Sequence, residues 1–167
     1  MSYRRHLYWT NSQPSTSNIV QAMKNGTILN THQKDVFLPR GIIIDHYANK
    51  VYWVEKKYGD EYSIESSDLE LKNLSTMHTG SEKEPMDIAN SNTSVYWTDQ
   101  MTNGIYKTNM ATKQTDRVYT GSYPSAIILR ANLLLEYQDK NEASEPMQTE
   151  TVFKEMTVIQ VKVAGMC

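Results

Sequence analysis

Val95-Tyr96-Trp97-Thr98-Asp99 is the stretch from which the rest of this chain can be read. Its Tyr-Trp pair also occurs as Tyr52-Trp53 and as Tyr8-Trp9; both spacings are 44 residues and all three tryptophans are used. Self-similarity at a fixed period is a stronger guide to architecture than local propensity. Leu7, Val51 and Val95 precede the pairs, and Thr10-Asn11, Val54-Glu55 and Thr98-Asp99 follow them.

Working outward, each pair sits inside a larger repeating pattern. Upstream, Pro39-Arg40-Gly41-Ile42-Ile43-Ile44-Asp45 and Pro85-Met86-Asp87-Ile88-Ala89 each begin with proline and continue as a short apolar run. Downstream come strand-like segments from Ile19, Ile64 and Ile105, each ending in a polar turn such as Asn25-Gly26, Lys72-Asn73 or Thr112-Lys113-Gln114. A last run closes each unit: Ile28 to Thr31, Leu74 to His78 and Arg117 to Thr120. Short strands separated by regular turn signals predict an all-β fold. Four strands in a unit of about 44 residues is the arithmetic of a β-propeller blade. About three blades are present, and Tyr123-Pro124-Ser125-Ala126-Ile127-Ile128 starts a fourth. Where its Tyr-Trp pair would fall, the chain reads Leu133-Leu134-Leu135-Glu136-Tyr137. The expected fold is therefore an incomplete propeller.

These motifs resemble the low-density-lipoprotein-receptor class B, or YWTD, repeat. Tyr96-Trp97-Thr98-Asp99 is the whole signature, and Tyr8-Trp9-Thr10-Asn11 and Tyr52-Trp53-Val54-Glu55 are degenerate copies. The resemblance spans residues 5–135, about four-fifths of the chain. It implies a six-bladed propeller on the extracellular side of a membrane protein, which binds protein ligands or packs against neighbouring receptor modules. It also implies that Tyr8, Trp9, Tyr52, Trp53, Tyr96, Trp97, Thr98 and Asp99 hold blade to blade, and it brings no catalytic residues. Six such blades need about 260 residues, so this chain is expected to carry half a ring. It would then be a fragment, a shortened product that does nothing alone, or a homodimer in which two copies close the propeller.

Composition narrows the function further. Net charge is −2 and the pI is near 6.1, so nothing marks a nucleic-acid surface. No apolar run reaches the ~20 residues of a membrane span, and the start has no apolar leader core. Cys167 is the only cysteine, which rules out an intrachain disulfide. His6, His32, His46 and His78 lack metal-ligand spacing, and no cofactor is expected. Asp87 and Asp99, which could in principle hold calcium, read as acids of solvated turns. Lys56-Lys57 and Arg4-Arg5 read as solvated surface. Sequons at Asn25, Asn73 and Asn92 permit glycosylation.

The expected domains are repeats over 1–135, a charged flexible linker over 136–155 and a strand-like tail over 156–167. Within the tail, Thr157 to Val163 is β-branched and could add a strand to an open blade edge. The expected function is protein binding through the loops that follow the Tyr-Trp strands: Asn11 to Asn18, Glu55 to Glu61 and Asp99 to Asn103. Acidic turns at Asp60-Glu61 and Glu82-Lys83-Glu84 could meet a basic ligand. The chain is not expected to be an enzyme. The competing reading, a metal-dependent lactonase-like hydrolase, needs acids converging on the channel. The corresponding positions hold Asp45, Asn90 and then Leu129 or Arg130, a poor cage.

Overall fold

The computed structural model describes residues 6–130 and the backbone of 158–163. All described elements are β-strands. The first sheet joins β1 (His6–Asn11), β2 (Asn18–Met23) and β3 (Ile28–His32). The second runs β4 (Pro39–Asp45), β5 (Lys50–Lys56), β6 (Tyr62–Asp68) and β7 (Ser75–Gly80) in sequence order. The third repeats that order with β8 (Pro85–Asn90), β9 (Ser94–Asp99), β10 (Gly104–Asn109) and β11 (Thr115–Thr120). A last pair joins β12 (Pro124–Arg130) antiparallel to β13 (Val158–Val163).

Every pairing is antiparallel between neighbours joined by a turn, except that of β12 with β13. These are propeller blades: two complete, one three-stranded and one represented by its first strand. The segments expected as linker and as Leu133 to Tyr137 lie outside the described residues, as do Arg4-Arg5 and Cys167.

The proline that opens β4, β8 and β12 starts the strand nearest the shared axis. There β4 packs on β8, and β8 on β12. This approach is close enough to dictate a residue. A Cβ at Gly41 would lie 2.4 Å from the Asp87 Cα, so only glycine fits between the two inner strands.

Strand alternation explains the signature. Successive side chains point to opposite faces of a sheet, so Tyr and Trp of one pair serve different interfaces. Trp53 and Val51 face the first sheet, packing with Ile19, Tyr8 and Ile42. Tyr52 and Val54 face the third, packing with Ile88, Val95, Trp97 and Tyr106. Likewise Trp97 faces back, and Tyr96 faces forward onto Ile127 of β12. Tyr8 joins the core between the first two sheets, while Trp9 points to the face against which no described blade packs and is only half-buried.

Candidate ligand rim

Each Tyr-Trp strand ends at the same rim, where its outgoing loop meets the connector that leads into an inner strand. The Glu82 N–H donates to the Asp60 carbonyl at 2.9 Å, and the Gln100 N–H to the Glu84 carbonyl at 3.0 Å. Tyr58 lies against Phe37 with ring centroids 4.2 Å apart. The Tyr123 N–H donates to Asn103 Oδ1 at 3.1 Å. With the Leu38 N–H donating to Ser17 Oγ at 3.2 Å, all three loops that follow the Tyr-Trp strands share one surface with the inter-blade connectors.

The fourth signature residue builds this rim from below. Asp99 is buried and accepts N–H bonds from Glu84, from Met101 at 3.3 Å and from Thr102 at 3.0 Å, with the Thr102 hydroxyl as a further donor. It is thus not a solvated turn acid, as the sequence had suggested, because the turn wraps around it and supplies the donors a buried carboxylate requires. Glu55 holds the same place one blade earlier. It accepts from Trp53 Nε1 at 2.6 Å and from the Phe37 N–H at 3.3 Å, and it pairs with Lys57.

Lys57 also lies 3.9 Å from Glu65, and Lys56 is 4.0 Å from Asp60, so neither lysine is the plain solvated charge expected. Lys57 is drawn inward by the buried carboxylate of Glu55 and by Glu65 on the next strand, whereas the partner of Lys56, Asp60, is an exposed loop acid. A cleft of about 330 Å³ beside them is lined by His32, Asp35, Trp53, Glu55 and Lys57, and its central charges are already paired with one another.

Above this layer the rim exposes apolar side chains among acids. Tyr58, Met101 and Tyr123 are exposed, and Asp60, Glu61 and Glu82 are exposed on the same loops and connectors. Among the described residues Arg40 pairs with Glu84 at 2.7 Å and Lys56 with Asp60 at 4.0 Å, while no ion pair engages Glu61 or Glu82.

The other candidate residues are distributed elsewhere. Asn25, Asn73 and Asn92 all lie exposed in turns. Asp45 is buried and caps its own turn, accepting from the Tyr47 and Ala48 N–H groups at 2.9 Å each. Asp87 bridges two inner strands by accepting from the Ile127 N–H at 2.9 Å, and burial raises its pKa above the usual carboxylate range. Among the described residues no group of three or more His, Cys, Asp or Glu is placed to share a metal ion, and no helix is long and apolar enough to cross a membrane. His78, which the sequence offered only as one of four scattered histidines, has a place that spacing did not give. It lies between blades, 3.1 Å from the Tyr62 hydroxyl and within 3.5 Å of the Thr115 hydroxyl, a grouping that no local spacing reveals.

Repeated sheets with the Tyr-Trp strand second from the axis, and Tyr and Trp shared between successive interfaces, define the chain as blades of a YWTD-type β-propeller. More particularly, it is cueball-like. It is 57% identical over 139 residues to "Protein cueball" of Anopheles gambiae, covering 83% of this chain and 20% of that protein. To "Protein cueball" of Aedes aegypti it is 45% identical over 150 residues, covering 89% of this chain and 23% of that one. The chain spans about a fifth of the length of these curated relatives. No family model matches it. Among solved structures, the nidogen/laminin complex is similar in fold, with a TM-score of 0.57 at 21% identity over 70% of this chain and 43% of that one.

Proposed function

We propose that the chain is a protein-binding segment of an extracellular, receptor-like propeller and that its ligand docks on the rim formed by the loops after the Tyr-Trp strands. The observation that supports this reading is that Tyr58, Met101 and Tyr123 stand exposed on the loops and connectors of the rim, which also carry the exposed acids Asp60, Glu61 and Glu82. Aromatic and methionine side chains are enriched at protein interfaces, and a rim of one sign of charge steers an oppositely charged ligand. The ligand class is therefore a basic protein surface carrying apolar groups. No catalytic role is assigned. Asp99 and Glu55 are structural acids, already saturated by turn amides, an indole N–H and a lysine. Asn25, Asn73 and Asn92 carry glycans in this reading, and all three lie in turns away from the loops of the rim.

A fluorescent lysine-rich peptide containing leucine and tyrosine is the probe. Binding should weaken with added salt and fall at least about tenfold in the triple variant Asp60→Lys, Glu61→Lys, Glu82→Lys. A probe that does not bind, or that binds the triple variant as well as the parent, would sink the rim reading.

A further inference from the structure

The interfaces on the two sides of the second sheet are built on one register but filled differently. Glu65 lies opposite Trp53 as Tyr106 lies opposite Trp97, so the two share one repeat position. Tyr106 stacks on Trp97 between the second and third sheets, and Lys83 stands over its ring at 5.1 Å. Between the first and second sheets that position holds a carboxylate, and Phe37 stands where Lys83 would, counted from the prolines. Ring and cation are both replaced, and the cleft of about 330 Å³ beside Trp53 is the space that remains.

The same register leaves two groups of the cleft short of partners. His32 lies opposite Ile19 as His78 lies opposite Ile64, again one repeat position. His78 meets the hydroxyls of Tyr62 and Thr115. Counted along the strands, Ser17 and Leu74 replace those two. The Ser17 hydroxyl is taken by the Gln13 carbonyl and the Leu38 N–H, and leucine has none to give. His32 Nε2 is thus buried without a hydrogen-bond partner. Turning the ring about its soft Cβ–Cγ torsion presents that nitrogen to the cleft. The Glu65 side chain is only 12% exposed, and among the described residues its one cation is Lys57 at 3.9 Å, which already sits on Glu55. Carboxylates of Asp35, Glu55 and Glu65 face the ammonium groups of Lys34 and Lys57, so the lining keeps one negative charge in excess.

We infer that this cleft is a socket for an arginine side chain of the protein ligand, an assignment that rests on the reading of the rim as a docking surface. The occupant follows from the chemistry. A largely buried, half-engaged carboxylate calls for a charged donor. The volume is at the small end for ligand pockets and suits one side chain. A point cation fits poorly, because among the described residues no three acids or histidines converge on one ion. A guanidinium instead spreads five N–H donors over a planar fork. It engages Glu65 through two of them and turns the rest toward His32, Ser75 and Thr76, all in the cleft wall. Its flat shape takes the space that the Tyr106 ring fills one interface later. Asp35 on the connector and Lys57 at the start of the β5–β6 loop are both lining residues, so a ligand lying across the rim reaches the socket.

The test titrates the full chain with N-acetyl-arginine methylamide and follows the indole N–H signals of its three tryptophans by nuclear magnetic resonance, with Trp53→Phe identifying the one at the cleft. The Trp53 signal should move saturably while the Trp97 signal stays. The citrulline analogue, alike in shape but uncharged, and the lysine analogue should each bind at least about tenfold more weakly. Glu65→Gln should weaken arginine binding at least about tenfold. Glu65→Tyr gives the second sheet the residue of the third; it should close the cleft, abolish arginine binding and raise the unfolding midpoint. That variant keeps the test decisive if Glu65→Gln folds poorly. A Trp53 signal that never moves, citrulline bound as well as arginine, or arginine binding undiminished in Glu65→Tyr would each overturn the socket. The lysine-rich rim probe is read separately on Glu65→Tyr, where the cleft is closed and the rim acids are intact, so either reading can fail alone.

Discussion

Trp53 and Trp97 occupy one repeat position but keep different company. The Trp97 indole stacks on Tyr106 at 4.7 Å and donates to the Thr108 hydroxyl at 3.0 Å, which in turn meets Thr115 at 2.8 Å. The Trp53 indole donates to the buried carboxylate of Glu55. Replacing either with Phe removes similar apolar area. Only Trp53→Phe takes a donor from a buried charge, a loss of about 1.5–3 kcal/mol beyond the packing. Urea unfolding followed by circular dichroism should therefore place Trp53→Phe clearly below Trp97→Phe. Equal midpoints would mean that Lys57 and the Phe37 amide already satisfy Glu55. At this scale the sequence was only partly readable. Period-two alternation puts Tyr and Trp on opposite faces from spacing alone. The burial of Asp99 and the inward pull of Lys57 depend on how a turn closes and on what the next strand carries, and neither is a local signal.

At the level of elements, the proline-led strands were legible because each pairs with its own neighbour in the chain, so local pattern and tertiary pairing coincide. What the pattern did not show is how closely β4 and β8 approach. The Asp87 Cα lies only 2.4 Å from where a Cβ of residue 41 would go, so Gly41→Ala must push the two inner strands apart. The expected loss is about 1–3 kcal/mol, the usual range for overpacking, measured by denaturant unfolding. A variant as stable as the parent would show that the inner strands can slide without loss.

Taken as a whole, the molecule is a stack of sheets, and its stability lies between them. Tyr62 and His78 sit together between the second and third sheets, 3.1 Å apart. Burial pushes the Tyr62 pKa from 10.0 up to about 12. Its contribution is full below pH 10 and is lost as pH rises from there toward about 12. Burial, and then the charge of Lys83, lowers His78 below its ordinary 6.5. Its contribution is full above pH 6.5 and is lost as pH falls through the lowered value. Unfolding free energy plotted against pH should be a plateau that drops at both ends. Tyr62→Phe should flatten the alkaline drop, and an unchanged alkaline slope would remove Tyr62 as its source.

The two-sided Tyr-Trp strand also sets a clock on the chain as it is made. A blade emerging from the ribosome can settle its tryptophan at once, since the preceding sheet already exists, but its tyrosine must wait for the next repeat. At usual elongation rates 44 residues take about 2–9 seconds. Through that interval each newborn blade shows a sticky face to the cell.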